Sequence, residues 1–387
     1  MSDTDSDAVV VGGGLAGLAA AVAVARAGLS VIHIVPKGPP DRRTSALMRP
    51  AVAYLKEAGL VPDPAAIGRP LTQIRIIDAT KRLVRAPETL FDSAESGLDA
   101  FGWNFPNVKL NDAFEAARAS LANLTTVETT LEDMTRSGGK STLRLANDQT
   151  LTTNLVVGAD GKKSRVRETG DFRAREHGFT QAALVCDLSL ARPIGGTSVE
   201  FHYEQGPFTL VPAGGNRANL VWIDDRETLK AAQGLGKEEL AALLRDKAQR
   251  LFGTIEVLTP THIFPLSTLT VETAGREGVV LVGEAAHAFP PIGAQGLNLS
   301  LRDVADLAAA LAAADLTHED FALALSDDYA SRRAGDLRQT GAMVDTLFRS
   351  LLAVFLPAQL ARSTGLWALK LVPALRKTAF DIGMGAR

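Results

Sequence analysis

The 387-residue sequence predicts an α/β fold: a parallel-sheet domain assembled from both ends of the chain, an antiparallel β-sheet inserted into it, and a helical C-terminal region. Three observations carry this. "AVVVGGGLAGLAAAVAVARAGLSVIHIV" (residues 8–35) reads as strand, glycine turn, alanine-rich helix and strand, a βαβ unit that implies a parallel sheet. Two further apolar strands, in "NLVVGADG" and "GVVLVGEAAH", run straight into glycine-containing loops. Between them, residues from about 172 to 270 alternate apolar and polar side chains, the period of half-buried antiparallel strands.

Taken in order, Ala8 to Val11 is a short apolar strand and Leu15 to Ala27 a helix of high intrinsic propensity, ended by Gly28. Val31 to Val35 is β-branched and reads as the second strand. "LNDAFEAARASLANL" is a second helix, followed by strands that turn at Gly138-Gly139 and Asn147-Asp148. A helix at about 237–251 interrupts the antiparallel stretch, and from Leu301 the chain is mostly helical. The expected division is 1–68, 101–171 and 272–340 for the α/β domain, 69–100 and 172–271 for a substrate domain, and 341–387 for the helical region.

Composition narrows the function. Apolar residues at 46% and charged residues at 22% describe an ordinary globular chain, and the net charge of -3 offers no basic face for nucleic acid. The single cysteine, Cys186, forms no internal disulfide and reads as core, so a reducing cytoplasm is expected. The six histidines show no metal-ligand spacing. No Ser-His-Asp signature is present; Ser164 and Ser300 read as loop and helix residues. The uncharged run Ala8 to Ala25 approaches the length of a membrane span. It holds Gly12, Gly13, Gly14 and Gly17, however, and follows acids rather than a basic leader.

Gly12-x-Gly14-x-x-Gly17, directly after a strand and opening a helix, is a dinucleotide-binding pattern. The first glycine permits the tight turn, the second lets backbone approach a pyrophosphate at the helix N-terminus, and the third packs helix on strand. The pattern also calls for an acid at the end of the second strand, to hold ribose hydroxyls. Val35 stands there, leaving Lys37 and Asp41 as candidates beside the plain reading that both are loop charges. With Asp160-Gly161 and Glu284 each following a strand, three strand-to-loop elements converge on one crevice.

Four pieces, GGGLAG, GADGKKSRVR, VGEAAH and PPIGAQGLNLSLRD, resemble in order and spacing the class A flavoprotein aromatic hydroxylases, the para-hydroxybenzoate hydroxylase superfamily. "DRRTSAL", "GPFTLVPAGGNRANLVW" and "RSTGLWALKLVPALRKTAFDIGMG" resemble its ubiquinone-biosynthesis members. The resemblance implies a Rossmann-like FAD-binding domain, FAD as cofactor, NAD(P)H as co-substrate, and O2. It implies that Gly12, Gly14, Ala16 and Gly17 cradle the pyrophosphate and that Arg43 reaches the same phosphates. Asp160 and Gly161 fall in the motif associated with FAD and the pyridine nucleotide. Glu284 replaces the family's usual aspartate near the ribityl or phosphate region. Pro291, Gly293, Gln295 and Gly296 would lie beside the flavin ring, with the Leu297 and Asn298 backbone at its pyrimidine edge and a helix beginning near Leu297. His287 is implied to be structural, and no protein nucleophile is needed.

The function so implied is hydroxylation of a polyprenylated phenol in ubiquinone biosynthesis. The alternatives are a hydroxylase of small soluble aromatics and a non-catalytic flavin-binding subunit of a biosynthetic complex. Val344, Leu347, Phe348, Leu351, Leu352 and Phe355 recur at helical spacing in a basic tail. Such a tail suits a peripheral contact with the inner face of a membrane or with a partner complex, or else simply covers the α/β domain.

Overall fold

The computed structural model describes residues 4–81, 85–291 and 294–352, with backbone only at 4 and from 340 onward. Its described strands form three sheets. The eight-stranded sheet has the order Gly275–Arg276, Val279–Leu281, Thr150–Gly158, Thr4–Val11, Val31–Ile34, Leu124–Val127. Every neighbouring pair from Val279–Leu281 to Leu124–Val127 is parallel. The first strand begins four residues before Ala8, because Thr4–Ser6 pair with Leu151–Thr153. Backbone pairing thus extends the strand where its side chains are polar. A hairpin, Leu131–Ser137 and Lys140–Leu145, turns at Gly138 (φ 58°) and Gly139 (φ 77°) as expected. The helices Leu15–Arg26, Asn107–Ala119 and Gln295–Ala313 pack side by side. Alanines at 19, 20, 21 and 25 are buried in that packing.

The nine-stranded sheet holds most of the inserted segment. It differs from the expected antiparallel sheet at one pair, where Gln73–Asp78 runs parallel to Thr197–Tyr203. A parallel pair needs a crossover instead of a hairpin, and the chain between these two strands travels through the other domain first. The helix expected at about 237–251 is Lys237–Lys247, and a further helix, Arg226–Gln233, precedes it. Both cover one face of the sheet, where Leu184, Leu188, Phe208 and Trp222 pack against Leu229, Leu240 and Leu244. Cys186 belongs to this core, and burial pushes its thiol up to about 12, which fits a packing role. The opposite face carries Ala183, Ile223 and Leu266, with Phe179 and Val221 packed on them.

A three-stranded sheet of Thr44–Met48, Gly102–Pro106 and Arg69–Leu71 joins the two larger ones. Asn104 Nδ2 donates to Asn219 Oδ1 at 2.8 Å, and Asn219 Nδ2 donates to Asp187 Oδ1 at 2.6 Å. Side chains two apart share a strand face, so Asn219 stands on the same face as Val221 and Ile223. This face of the large sheet is therefore turned toward the three-stranded sheet.

Beyond the α/β domain the chain continues as one helix, Phe321–Leu352. The expected helical region 341–387 otherwise lies outside the described residues, as do Gly293 and the side chains of the basic tail. Among the described residues no helix is long and apolar enough to cross a membrane.

Candidate functional site: a crevice at the carboxyl ends of three parallel strands

Gly158 pairs with Val11 on one side and Leu281 on the other. The three strands therefore end level, and the loops Gly12–Gly14, Ala159–Gly161 and Val282–Glu284 leave the sheet at one edge. In open α/β sheets that edge is where ligands bind. The sequence-predicted convergence of Gly12, Asp160 and Glu284 is thus realised by register.

The glycines divide into two kinds. A Cβ on Gly12 (φ 127°) would lie 2.1 Å from the Ala159 carbonyl oxygen, and one on Gly17 would lie 1.9 Å from the Gly12 carbonyl oxygen. These two are glycine because the protein's own backbone fills the space. Gly14, Gly161 and Gly296 are different: a Cβ on each meets no atom within 4 Å. Each lines one side of the crevice, and a molecule lying there would meet bare backbone. The helices Leu15–Arg26 and Gln295–Ala313 both lack a side-chain N-cap and an acid in the first turn. Their first N–H groups and the positive ends of their dipoles are left for an anionic or polar ligand. Asp160 adds a buried oxygen, Oδ1, without a partner among the described residues, while its Oδ2 accepts from the Arg165 and Val166 amides. Uncapped helix ends, open glycines and an unsatisfied acceptor fit a dinucleotide.

Charged groups line the mouth. Asp41 accepts from Arg43 Nε at 2.8 Å and from Asn107 Nδ2 at 2.8 Å. Burial opposes the Asp41 charge, but the hydrogen bonds from Arg43 and Asn107 outweigh it and hold the carboxyl below its ordinary range. In return Asp41, and secondarily Glu284, strengthen the Arg43 charge. Asp41 is committed to Arg43 and Asn107, so it does not serve as the candidate for ribose. Glu284 itself is exposed on the turn Gly283–Ala285. Lys37 pairs with Glu128 at 2.7 Å.

The third loop is held from beneath. His287 and Asp303 are each 1% exposed, and His287 Nε2 donates to Asp303 Oδ2 at 2.6 Å. The same oxygen accepts from the Gly283 amide at 2.8 Å. One carboxylate therefore pins both ends of the loop to the helix Gln295–Ala313. Arg333, fully buried, lies 2.7 Å from Asp303 Oδ1 and hydrogen-bonds to Asp306 and Asp336. His287 is structural here, as the resemblance implied.

The helix expected near Leu297 starts at Gln295, two residues earlier. Ala294 caps it with φ 56°, a left-handed turn made by a residue other than glycine. The Asn298 side chain is drawn inward. Its Nδ2 donates to Ala46 O at 2.8 Å, and its Oδ1 accepts from the Met48 amide at 2.7 Å. Asn298 thereby ties the start of this helix to Thr44–Met48, leaving its backbone available to the crevice.

Sequence reasoning missed His33. It is fully buried in Val31–Ile34, and its Nε2 donates to the Gly12 carbonyl at 2.9 Å. A carbonyl only accepts, so Nε2 carries the proton. Burial drops its pKa to about 4, and the ring is a neutral brace for the glycine turn. The available signal was a lone imidazole in an otherwise apolar strand next to that turn.

A model of the FAD binding domain family matches residues 5–339. The chain belongs to the FAD-dependent aromatic hydroxylases. It is 30% identical over 403 residues to ubiquinone hydroxylase UbiL of Rhodospirillum rubrum, spanning 99% of this chain and 90% of that protein. It is 26% identical to the 3-demethoxyubiquinol 3-hydroxylase of Escherichia coli, over the whole of both chains. Among solved structures, p-nitrophenol 4-monooxygenase PnpA of Pseudomonas putida superposes with a TM-score of 0.80 at 19% identity, covering both chains fully. HpxO of Klebsiella pneumoniae, solved with FAD, superposes at 0.76 with 18% identity over 98% of each chain. The two structural likenesses establish the fold, and the sequence relatives establish the family. This flavoprotein is an oxidoreductase that uses FAD.

Proposed function

We propose that the hydroxylase acts with NAD(P)H and O2 on a polyprenylated phenol in ubiquinone biosynthesis. The observation that carries the substrate class is the apolar second face of the nine-stranded sheet. Ala183, Ile223 and Leu266 form a buried hydrocarbon cluster there, with Val221 and Phe179 packed against it. Phe264 is paired with Ala183 on that face and stays 41% exposed. A benzoate-type acid would need a cationic partner on burial, whereas an alkylated neutral ring gains from such a surface. The ubiquinone hydroxylases to which the chain is similar along their length support the same class.

In this reading the first turn of Leu15–Arg26, with Gly12, Gly14, Ala16 and Gly17, holds the FAD pyrophosphate. Arg43 neutralises phosphate charge. Glu284, Asp160 and Gly161 line the middle of the cofactor. Pro291, Gln295 and Gly296 lie beside the ring, and the Leu297 and Asn298 amides face its polar edge. Bound FAD supplies the redox and oxygen-transfer chemistry. The chain's own residues bind and orient: the dipole of Gln295–Ala313 stabilises negative charge at its N-terminus, and the apolar sheet face excludes water from the reacting ring. The test is oxygen uptake and product mass with purified holoprotein and NAD(P)H. A prenylated phenol should gain one oxygen with coupled NAD(P)H consumption. Hydroxylation of a soluble hydroxybenzoate alone would defeat the substrate assignment while leaving the flavoprotein reading intact.

A further inference from the structure

The position that should hold the adenosine ribose carries Val35, and the Val35 side chain is turned into the glycine loop. Its Cγ1 lies 2.5 Å from where a Cβ on Gly13 would be. An acid is nevertheless present one strand over. Val31–Ile34 and Leu124–Val127 are parallel neighbours with Ile34 level with Val127. The Val35 amide donates to Val127 O at 3.0 Å, and the Thr129 amide donates to Val35 O at 3.1 Å. Glu128 is therefore the residue directly beside Val35, just past the same sheet edge. Adjacent strands stand about 4.8 Å apart. The carboxyl carbon of a glutamate reaches about 4 Å from its own Cα through C–C bonds of about 1.5 Å. A hydrogen bond of about 2.7 Å to a ribose hydroxyl covers the rest of the gap.

We infer that Glu128 replaces the missing strand-end acid and accepts the ribose hydroxyls of the FAD adenosine, with Lys37 holding it in place. The inference rests on the flavoprotein reading and adds a residue to it. Lys37 Nζ lies 2.7 Å from Glu128 Oε1, and Lys37 follows Val35 by two residues, so the carboxylate leans over the end of the second strand. Its other oxygen, Oε2, has no partner among the described residues. The side chains are 85% and 54% exposed, and a pair this exposed adds little to folding. A structural role accounts poorly for it; a ligand-facing one accounts for both its place and its free oxygen. The nearer alternative, Asp41, already serves Arg43 and Asn107.

The test titrates apoprotein of the full chain, parent and Glu128→Ala, with FAD and with a FAD analogue built on 2′,3′-dideoxyadenosine. The readout is the Kd from flavin fluorescence. Hydrogen bonds to a charged acceptor predict that the parent binds FAD at least tenfold more tightly than the analogue. Glu128→Ala should bind both flavins within about twofold of each other, near the parent's affinity for the analogue. If Glu128→Ala still discriminates tenfold, or binds FAD as the parent does, the hydroxyls are held elsewhere and the inference is wrong. An equal loss for both flavins would show a general defect of the fold and also overturns it. A parent that binds neither flavin overturns the flavoprotein reading itself, which no result on Glu128 alone can do.

Discussion

Single residues in this crevice separate folding from binding. Gly17→Ala places a Cβ 1.9 Å from the Gly12 carbonyl, against backbone that cannot yield, and should cost about 3 kcal/mol of stability by overpacking. Gly14→Val meets open space and a compatible extended backbone (φ -77°, ψ 174°), so the chain should unfold at the parent's denaturant midpoint yet purify without yellow colour. Full flavin occupancy in Gly14→Val would move the pyrophosphate elsewhere. His33 makes a pH prediction of definite sign. Its ordinary pKa of 6.5 falls to about 4 on folding, chiefly by burial. Between those values the unfolded chain takes up a proton that the folded chain refuses. The contribution is therefore complete above pH 6.5 and is lost as the pH falls toward 4, about 3 kcal/mol in all. His33→Gln keeps a donor for the Gly12 carbonyl but does not titrate, so its stability should fall less than the parent's between pH 6.5 and 4. Parallel urea-midpoint curves for the two proteins would assign the acid sensitivity to other groups. The glycines were legible in the sequence because their spacing encodes backbone geometry. His33 was not, because its meaning depends on which carbonyl a neighbouring strand presents.

At the scale of elements, the buried charges between Gln295–Ala313 and Phe321–Leu352 set how firmly the third loop is held. Burial weighs against the Asp303 charge, yet His287 and Arg333 together keep the carboxyl below its ordinary range. Removing one partner of a buried pair strands the other, which typically costs about 3–5 kcal/mol. Arg333→Leu should lose stability on that order in denaturant titration. Arg332→Ala, which breaks a partly exposed pair with Asp328, should lose less than about 1 kcal/mol. Comparable losses in the two variants would mean that the buried cluster is not a structural clamp. The βαβ unit and the strand–loop motifs were readable because each is local: a period of two or of 3.6 followed by glycine. The pairing of Gln73–Asp78 with Thr197–Tyr203 left no such trace, since strands so distant in sequence reveal their partnership only in the folded sheet. Arg226–Gln233 was missed for a different reason. Its buried anchors are only Leu229 and Ala232, too few to show a helical period. Asp303 was equally hidden, because a buried acid in a helix looks like any other until Arg333 arrives from the next helix.

Under the proposed function, the whole molecule brings a water-insoluble ring to the apolar face of the sheet. Each buried CH2 of a polyprenyl chain is worth about 0.8 kcal/mol, so a prenylated phenol would reside in a bilayer or on a carrier and would have to be collected there. In our proposal the tail does this. From residue 346 on, its charges are Arg349, Arg362, Lys370, Arg376, Lys377 and Arg387 against the single acid Asp381. Leu366, Trp367 and Leu369 stand among them, a composition suited to a bilayer surface. The electrostatic part of such a contact is screened within about 8 Å at physiological ionic strength, so binding to anionic vesicles should weaken as salt rises. Arg376→Glu with Lys377→Glu reverses two charges of the patch. It should cut vesicle binding and turnover of a membrane-held prenylated phenol, while NAD(P)H oxidation with a short-chain soluble phenol continues at the parent rate. Equal loss of both activities, or parent-like vesicle binding, would instead make the tail a cover for the FAD-binding domain. The substrate would then have to reach the crevice past the exposed Phe264 edge of the sheet without help from the C-terminus.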